Sequence, residues 1–136
     1  YLVAAELAKA GYPVAAAPTM QRAGSLQTFN TCWENPARLA DAGVTVAITS
    51  GYESYVPKTR VVLFEAGVAA ANGMGWDRAL RAVTIDAARM LGVDKDYGSL
   101  EPGKSATLVC YDGDPFEYAS HVTHVYGDGV LVFPGK

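Results

Sequence analysis

The sequence is poor in the residues from which metal sites, membrane anchors and nucleic-acid surfaces are built. Histidine occurs twice, as His121 and His124. Two imidazoles are too few to close a metal site. Three apart on a strand, they point to opposite faces and do not readily share one ion. Cysteine also occurs twice, as Cys32 and Cys110. The two lie far apart in sequence, so two reduced thiols in a cytoplasmic protein are the expected state. Cys32 has no basic neighbour and no histidine in its segment, which argues against a thiol nucleophile. Positive charge is in deficit, with 11 Lys and Arg against 14 Asp and Glu. No nucleic-acid partner is therefore expected. No apolar run approaches the roughly 18–20 residues of a membrane helix, so no membrane partner is expected either. Gly73-Met-Gly75 lacks the spacing and the lysine of a phosphate loop.

What is present suits a folded domain. Half of the 136 residues are apolar and 18% are charged, enough for one core and unlike a disordered chain. The chain opens at Tyr1 without methionine and directly in helical spacing, which suggests a piece of a longer protein. Leu2, Val3, Leu7 and Ala10 form that spacing, and Gly11 stops it. Residues 12–17 read as a short strand and 18–34 as a long connection carrying Phe29, Cys32 and Trp33. Its aromatics either pack onto neighbouring elements, the expected case, or cover a substrate, as long loops often do. Asn35-Pro36 starts a helix, with Asn35 as cap, that ends at Gly43. Val44 to Thr49 reads as a strand covered on both faces. A strand, helix, strand unit of this kind implies a parallel pair. Ser50 to Lys58 reads as irregular. Val61 to Ala71 reads as a buried helix stopped at Asn72-Gly73, and Trp76 to Leu91 as one amphipathic helix. From Tyr97 the chain turns to strands at 106–111, 121–126 and 130–133. We place a boundary near residue 94, giving segments 1–93 and 94–136. Asp112 and Asp114 flank Gly113 and read as turn chemistry.

Three stretches together resemble the amidohydrolase superfamily, its imidazolonepropionase-like and prolidase-like members above all. The first is Ala79-Leu-Arg-Ala-Val-Thr-Ile-Asp-Ala-Ala-Arg-Met-Leu-Gly92. The second is Tyr97-Gly-Ser-Leu-Glu-Pro-Gly-Lys-Ser-Ala-Thr-Leu-Val-Cys-Tyr-Asp112. The third is Val125-Tyr-Gly-Asp-Gly-Val-Leu-Val132. The resemblance implies an α/β fold, with residues 1–93 as the last strands and helices of a TIM-type β/α barrel. Residues 94–136 would be half of a small β-sandwich. It implies hydrolysis of carbon–nitrogen bonds of amides or cyclic amides by the parent protein. A divalent metal, zinc in many members, would polarise the carbonyl and lower the pKa of bound water.

The family's ligands are a His-x-His pair, a carboxylated lysine or glutamate, two further histidines and an aspartate on the eighth strand. Only the last position falls within this chain, and there the sequence reads Ile48-Thr49-Ser50. Ser50 thus stands at the metal-ligand aspartate position, and a serine hydroxyl is a poor ligand. Thr49 and Ser50 end the buried strand, where their hydroxyls either bond the loop backbone, the expected case, or face the catalytic mouth, which in such barrels lies at the carboxyl ends of the strands. The other strand end here is Ala17-Pro18-Thr19. Glu53 reads as a solvated loop acid that would supply a carboxylate only if its loop were remodelled. Thr107 stands where the family's Gly-Ser-x-x-Pro-Gly-Lys-x-Ala-Asp-Leu-Val signature has its first aspartate. The isolated chain is expected to hold no metal and to be inactive. The parent is expected to take a small amide substrate and to form a homo-oligomer. A non-catalytic protein or assembly domain on the same fold is the alternative.

Overall fold

The computed structural model describes residues 1–17, 19–20, 22–53, 56–57 and 59–133; the side chains of 52–53 and 56–57 lie outside that description. Helix α1 (Ala4–Ala10) ends at Gly11 in a left-handed conformation and leads into strand β1 (Val14–Ala16). A connection with one short turn at Leu26–Thr28 follows, then α2 (Asn35–Asp41) and β2 (Val46–Ile48). The two strands pair in parallel, Val14 opposite Val46 and Ala16 opposite Ile48, as a strand, helix, strand unit should. Glu34, not Asn35, takes the cap position of α2. Asn35 and Pro36 are already helical, because proline's missing N–H costs nothing in a first turn.

After β2 the chain differs from an irregular loop. Tyr52–Glu53 (β3) and Val56–Pro57 (β4) pair antiparallel. Helix α3 (Val62–Ala69) follows. Asn72 and Gly73 then leave helical geometry, and the Asn72 side-chain amide donates to the Val68 carbonyl. The 76–91 segment is two helices, α4 (Trp76–Ala82) and α5 (Ile85–Leu91). The break falls at Val83-Thr84, two β-branched residues. The Thr84 hydroxyl takes the Leu80 carbonyl at 2.7 Å, a local bond that competes with the helical ladder. Asp86 opens α5 and accepts from both Arg81 and Arg89.

The core is built of small side chains. Ala4, Ala16, Ala37, Ala66, Ala69, Ala79 and Ala82 form it with Leu39, Val44, Val46, Ile48 and Met74. β2 is buried along its length and packs against α2 to α5, so the expectation of cover on both faces holds. The large apolar residues are mostly outside. Phe64 is 57% exposed, so α3 is not buried all round, and Leu91 is 74% exposed at the end of α5. Leu2 and Val3 are exposed too; Ala4 is the buried residue of α1. The reason is steric. Helices that approach over alanine leave little room between them for rings or long side chains.

Residues 97–105 form a closed loop. Lys104 donates to the Ser99 hydroxyl at 2.6 Å, Ser99 in turn donates to Glu101, and Ser105 N–H reaches the Asp96 carbonyl. The antiparallel sheet β5 (Leu108–Tyr111), β6 (Val122–Gly127), β7 (Val130–Phe133) follows. The Thr107 hydroxyl accepts the Asp128 N–H at 3.1 Å in the β6–β7 turn. The sheet segment is latched to α4 by Asp114. Both of its oxygens lie 2.9 Å from the Trp76 indole nitrogen, and it also accepts the Phe116 N–H. The Trp76 and Phe116 rings meet at 5.7 Å.

The Trp76 bond, and after it the Phe116 N–H, hold the Asp114 carboxyl below the ordinary aspartate value of 3.8. A depressed folded value means a contribution present above the ordinary value and lost as pH falls through the folded one. The pair is exposed, so the effect is local. With Trp33 replaced by phenylalanine, Trp76 emission should change in a titration below about pH 4. Asp114→Asn should remove that transition; its persistence would mean that Asp114 does not set the latch.

Candidate functional site at the strand ends

β1 and β2 end side by side, with Thr49 N–H bonded to the Ala16 carbonyl at 2.9 Å. Just beyond these ends the chain buries polar side chains. Thr19 is 4% exposed and Ser50 7% exposed. A buried polar group is costly unless it finds a partner. Thr49, next to Ser50 in the chain, is half-buried, and its hydroxyl accepts the Gly51 N–H at 3.4 Å.

Glu65 belongs with this group and was not legible as a site residue from sequence. It sits in α3 among apolar neighbours and is 6% exposed. Its Oε2 accepts the Thr19 N–H at 2.7 Å and the Met20 N–H at 3.3 Å. The helix after β2 thereby holds the loop that leaves β1. The one available signal was a lone carboxylate inside the apolar run Val61 to Ala71. The Thr19 hydroxyl is buried without a partner among the described residues. Thr19, Ala16 and Ala17 line a cavity of about 290 Å³ together with Thr31, Cys32 and Asn35.

The remaining expected positions lie elsewhere or outside the described residues. The Glu53 side chain is outside the description, as is Pro18. Phe29 is 73% exposed and Trp33 is exposed as well. The expectation that the loop aromatics pack onto neighbouring elements fails for Phe29, whereas Trp33 lines a hollow together with Phe64, Trp76 and Phe116. Cys32 and Cys110 are free thiols. His121 is exposed, with Nδ1 3.6 Å from an Asp112 oxygen, while its N–H donates to that residue's other oxygen. His124 stacks near Tyr126. Asp112 and Asp114 both serve turn and latch bonds.

The family's metal does not fit these residues by themselves. Among the described residues no three His, Cys, Asp or Glu side chains stand close enough to hold an ion. No helix is long and apolar enough to cross a membrane, again among the described residues.

Comparison with known proteins bears on this geometry. A sequence model of the amidohydrolase family matches residues 10–132. An imidazolonepropionase of Thermoplasma volcanium is 33% identical over 99 residues, 68% of this chain and 24% of that protein. An N-substituted formamide deformylase of Arthrobacter pascens is 32% identical over 108 residues, 68% of this chain and 20% of that protein. The crystal structure of an amidohydrolase from Thermotoga maritima superposes with a TM-score of 0.90 at 32% identity, covering 98% of this chain and 34% of that one. The chain thus spans about a quarter of the length of the curated relatives it matches. With a family match over nearly its whole length and that superposition, this chain belongs to the amidohydrolase family.

Proposed function

We propose that this chain is the C-terminal part of a metal-dependent hydrolase of carbon–nitrogen bonds in small amides or cyclic amides. On this reading residues 1–93 are the last elements of a β/α barrel and 94–136 are half of a sandwich. The observation that carries it is the polar group at the carboxyl ends of a parallel strand pair, within a chain of this family. Thr19 and Ser50 are buried there, and Glu65 ties one strand end to the helix after the other. Carboxyl ends of parallel strands are where barrel enzymes place their chemistry. The amidohydrolase family is generally metal-dependent. Since the described residues assemble no such site, its ligands would have to come from other parts of the full-length protein. The isolated chain is then inactive. The parent forms a homo-oligomer in the cytoplasm, with no nucleic-acid or membrane partner.

A second reading is a non-catalytic protein that keeps the fold. Ser50 favours it, because a hydroxyl stands where the family places a carboxylate ligand. One experiment separates the two. The full-length protein, loaded with zinc or manganese, is assayed on hydantoins, imidazolones, dipeptides and N-substituted formamides. Turnover supports the first reading, and its absence from all four classes supports the second. In an active parent, Ser50→Asp should raise kcat/KM at least roughly tenfold, about the 1.4 kcal/mol that one better-placed charge can supply. An unchanged value would mean that the eighth-strand ligand position is not at Ser50. In a parent without metal, the same change buries an uncompensated carboxylate and should lower stability by a few kcal/mol, about 2 or more.

A further inference from the structure

We infer that Glu65 is a positioning residue that holds Thr19 at the mouth of the proposed site, so that the Thr19 hydroxyl meets an uncharged amide of the substrate. This rests on the hydrolase reading for its chemistry but not for its geometry.

An acid within so apolar a helix is an expensive choice. A buried carboxylate persists where hydrogen bonds satisfy it, and an apolar residue of similar size would pack there as well. What the carboxylate provides is acceptor capacity. Two successive N–H groups, from Thr19 and Met20, converge on one Glu65 oxygen from 46 and 45 residues away. The held segment is the one that leaves β1, so the bond fixes the wall of a strand-end cavity and not a remote loop. Thr19 is the second observation. Its backbone is pinned, its side chain is nine-tenths buried or more, and its hydroxyl meets no partner among the described residues. Buried hydroxyls are rarely left so, which makes this one a group awaiting a ligand.

The lining indicates what that ligand is. The Asn35 Oδ1 accepts from the Tyr1 nitrogen, which on the proposed reading is an uncharged peptide N–H of the longer protein, and the cavity's polar side chains are hydroxyl, thiol and amide. Among the described residues no Lys, Arg, His, Asp or Glu side chain lines it. Such a wall does not select a charged substrate. A neutral carbonyl accepting from the Thr19 O–H fits it.

The test uses the full-length protein with Glu65→Ala, Glu65→Gln and Thr19→Val. Hydrogen exchange over residues 17–20 should quicken at least tenfold in Glu65→Ala while residues 46–48 keep their protection. In Glu65→Gln it should stay near wild type, since an amide oxygen still accepts. Unchanged exchange in Glu65→Ala would overturn the positioning role. Hydantoin and N-ethylformamide serve as neutral probes. For whichever is hydrolysed, Thr19→Val and Glu65→Ala should each raise KM at least fivefold, and the double variant should lose no more than either alone. The kcat–pH profile of Glu65→Gln should keep its shape. Additive losses, or a missing limb in that profile, would overturn the inference. Should wild type hydrolyse neither probe, binding decides by saturation-transfer NMR. Binding lost in Thr19→Val would uphold the site while the hydrolase reading fails. No binding of either probe to wild type would end the proposal.

Discussion

Replacing Gly98 by alanine is expected to destabilise the protein by about 3 kcal/mol and to lower its melting temperature by roughly 10 °C. Gly98 has a φ of +92°, which L side chains rarely adopt. A Cβ there would lie 2.7 Å from the Ala88 Cβ and 2.9 Å from the Ile85 Cα. Neither neighbour can move aside, because both belong to α5, and one of the two contacts is backbone. The loop 97–105, with its Lys104–Ser99–Glu101 bonds, would have to lift off the helix. Gly103 is the control. It has the same φ of +92° with nothing within 4 Å of an added Cβ. Gly103→Ala should therefore carry only the conformational part, about 1–2 kcal/mol. Thermal melts of the two variants side by side check this. Equal losses would mean that the close approach to α5 is not what holds Gly98 in place. The Gly-Ser-x-x-Pro-Gly-Lys resemblance thus has a packing reason at its first glycine.

The isolated 136-residue chain is expected to self-associate in solution, as a dimer at least. Among the described residues β1 and β2 pair only with each other, which leaves an edge open on each. Open edges recruit strands unless charge, proline or a bulge blunts them. Val14–Ala16 and Val46–Ile48 carry neither charge nor proline. In the second segment all four residues of the edge strand β7, Val130 to Phe133, are exposed. Leu2, Leu26, Phe29, Trp33 and Phe64 add exposed apolar surface elsewhere. A molecule with alanine inside and large apolar residues outside has surface to cover. The faces of β2 do not contribute, since the chain's own helices already bury them. The edges and the exposed side chains remain. Light scattering across a wide concentration range checks the expectation. A monodisperse monomer throughout, with cooperative unfolding, would show that the chain is self-sufficient.

Much of the architecture could be read from local chemistry. The run Val44 to Thr49 marked a covered strand, and its apolar residues Val44 and Val46 to Ile48 are buried, while Thr45 is exposed. The Asn35-Pro36 pair marked the start of α2 to within one residue, the usual uncertainty of a helix end. The strands expected at 121–126 and 130–133 followed from alternation and punctuation and match β6 and β7 to within one residue. Failures came where a side chain competes with the backbone. Val83-Thr84 breaks one amphipathic pattern into α4 and α5 because a hydroxyl bonds a carbonyl four residues back, which periodicity does not register. The hydrophobic pattern also misjudged depth. It treats Phe64, Leu91 and Ala66 alike, whereas close helix approach buries the alanine and excludes the larger two.

For the site the division is sharper. Sequence by itself determined the family resemblance, the parallel strand pair and the place of Ser50 at a strand end, because each depends on residues near one another in the chain. Only the tertiary structure decided that Thr19 and Ser50 are both buried and that Glu65 is the acid serving the strand ends. The bond from Glu65 to Thr19 joins residues 46 apart. No local pattern encodes such a pairing; it exists only once α3 has packed on β2 and brought its one carboxylate to the loop that leaves β1.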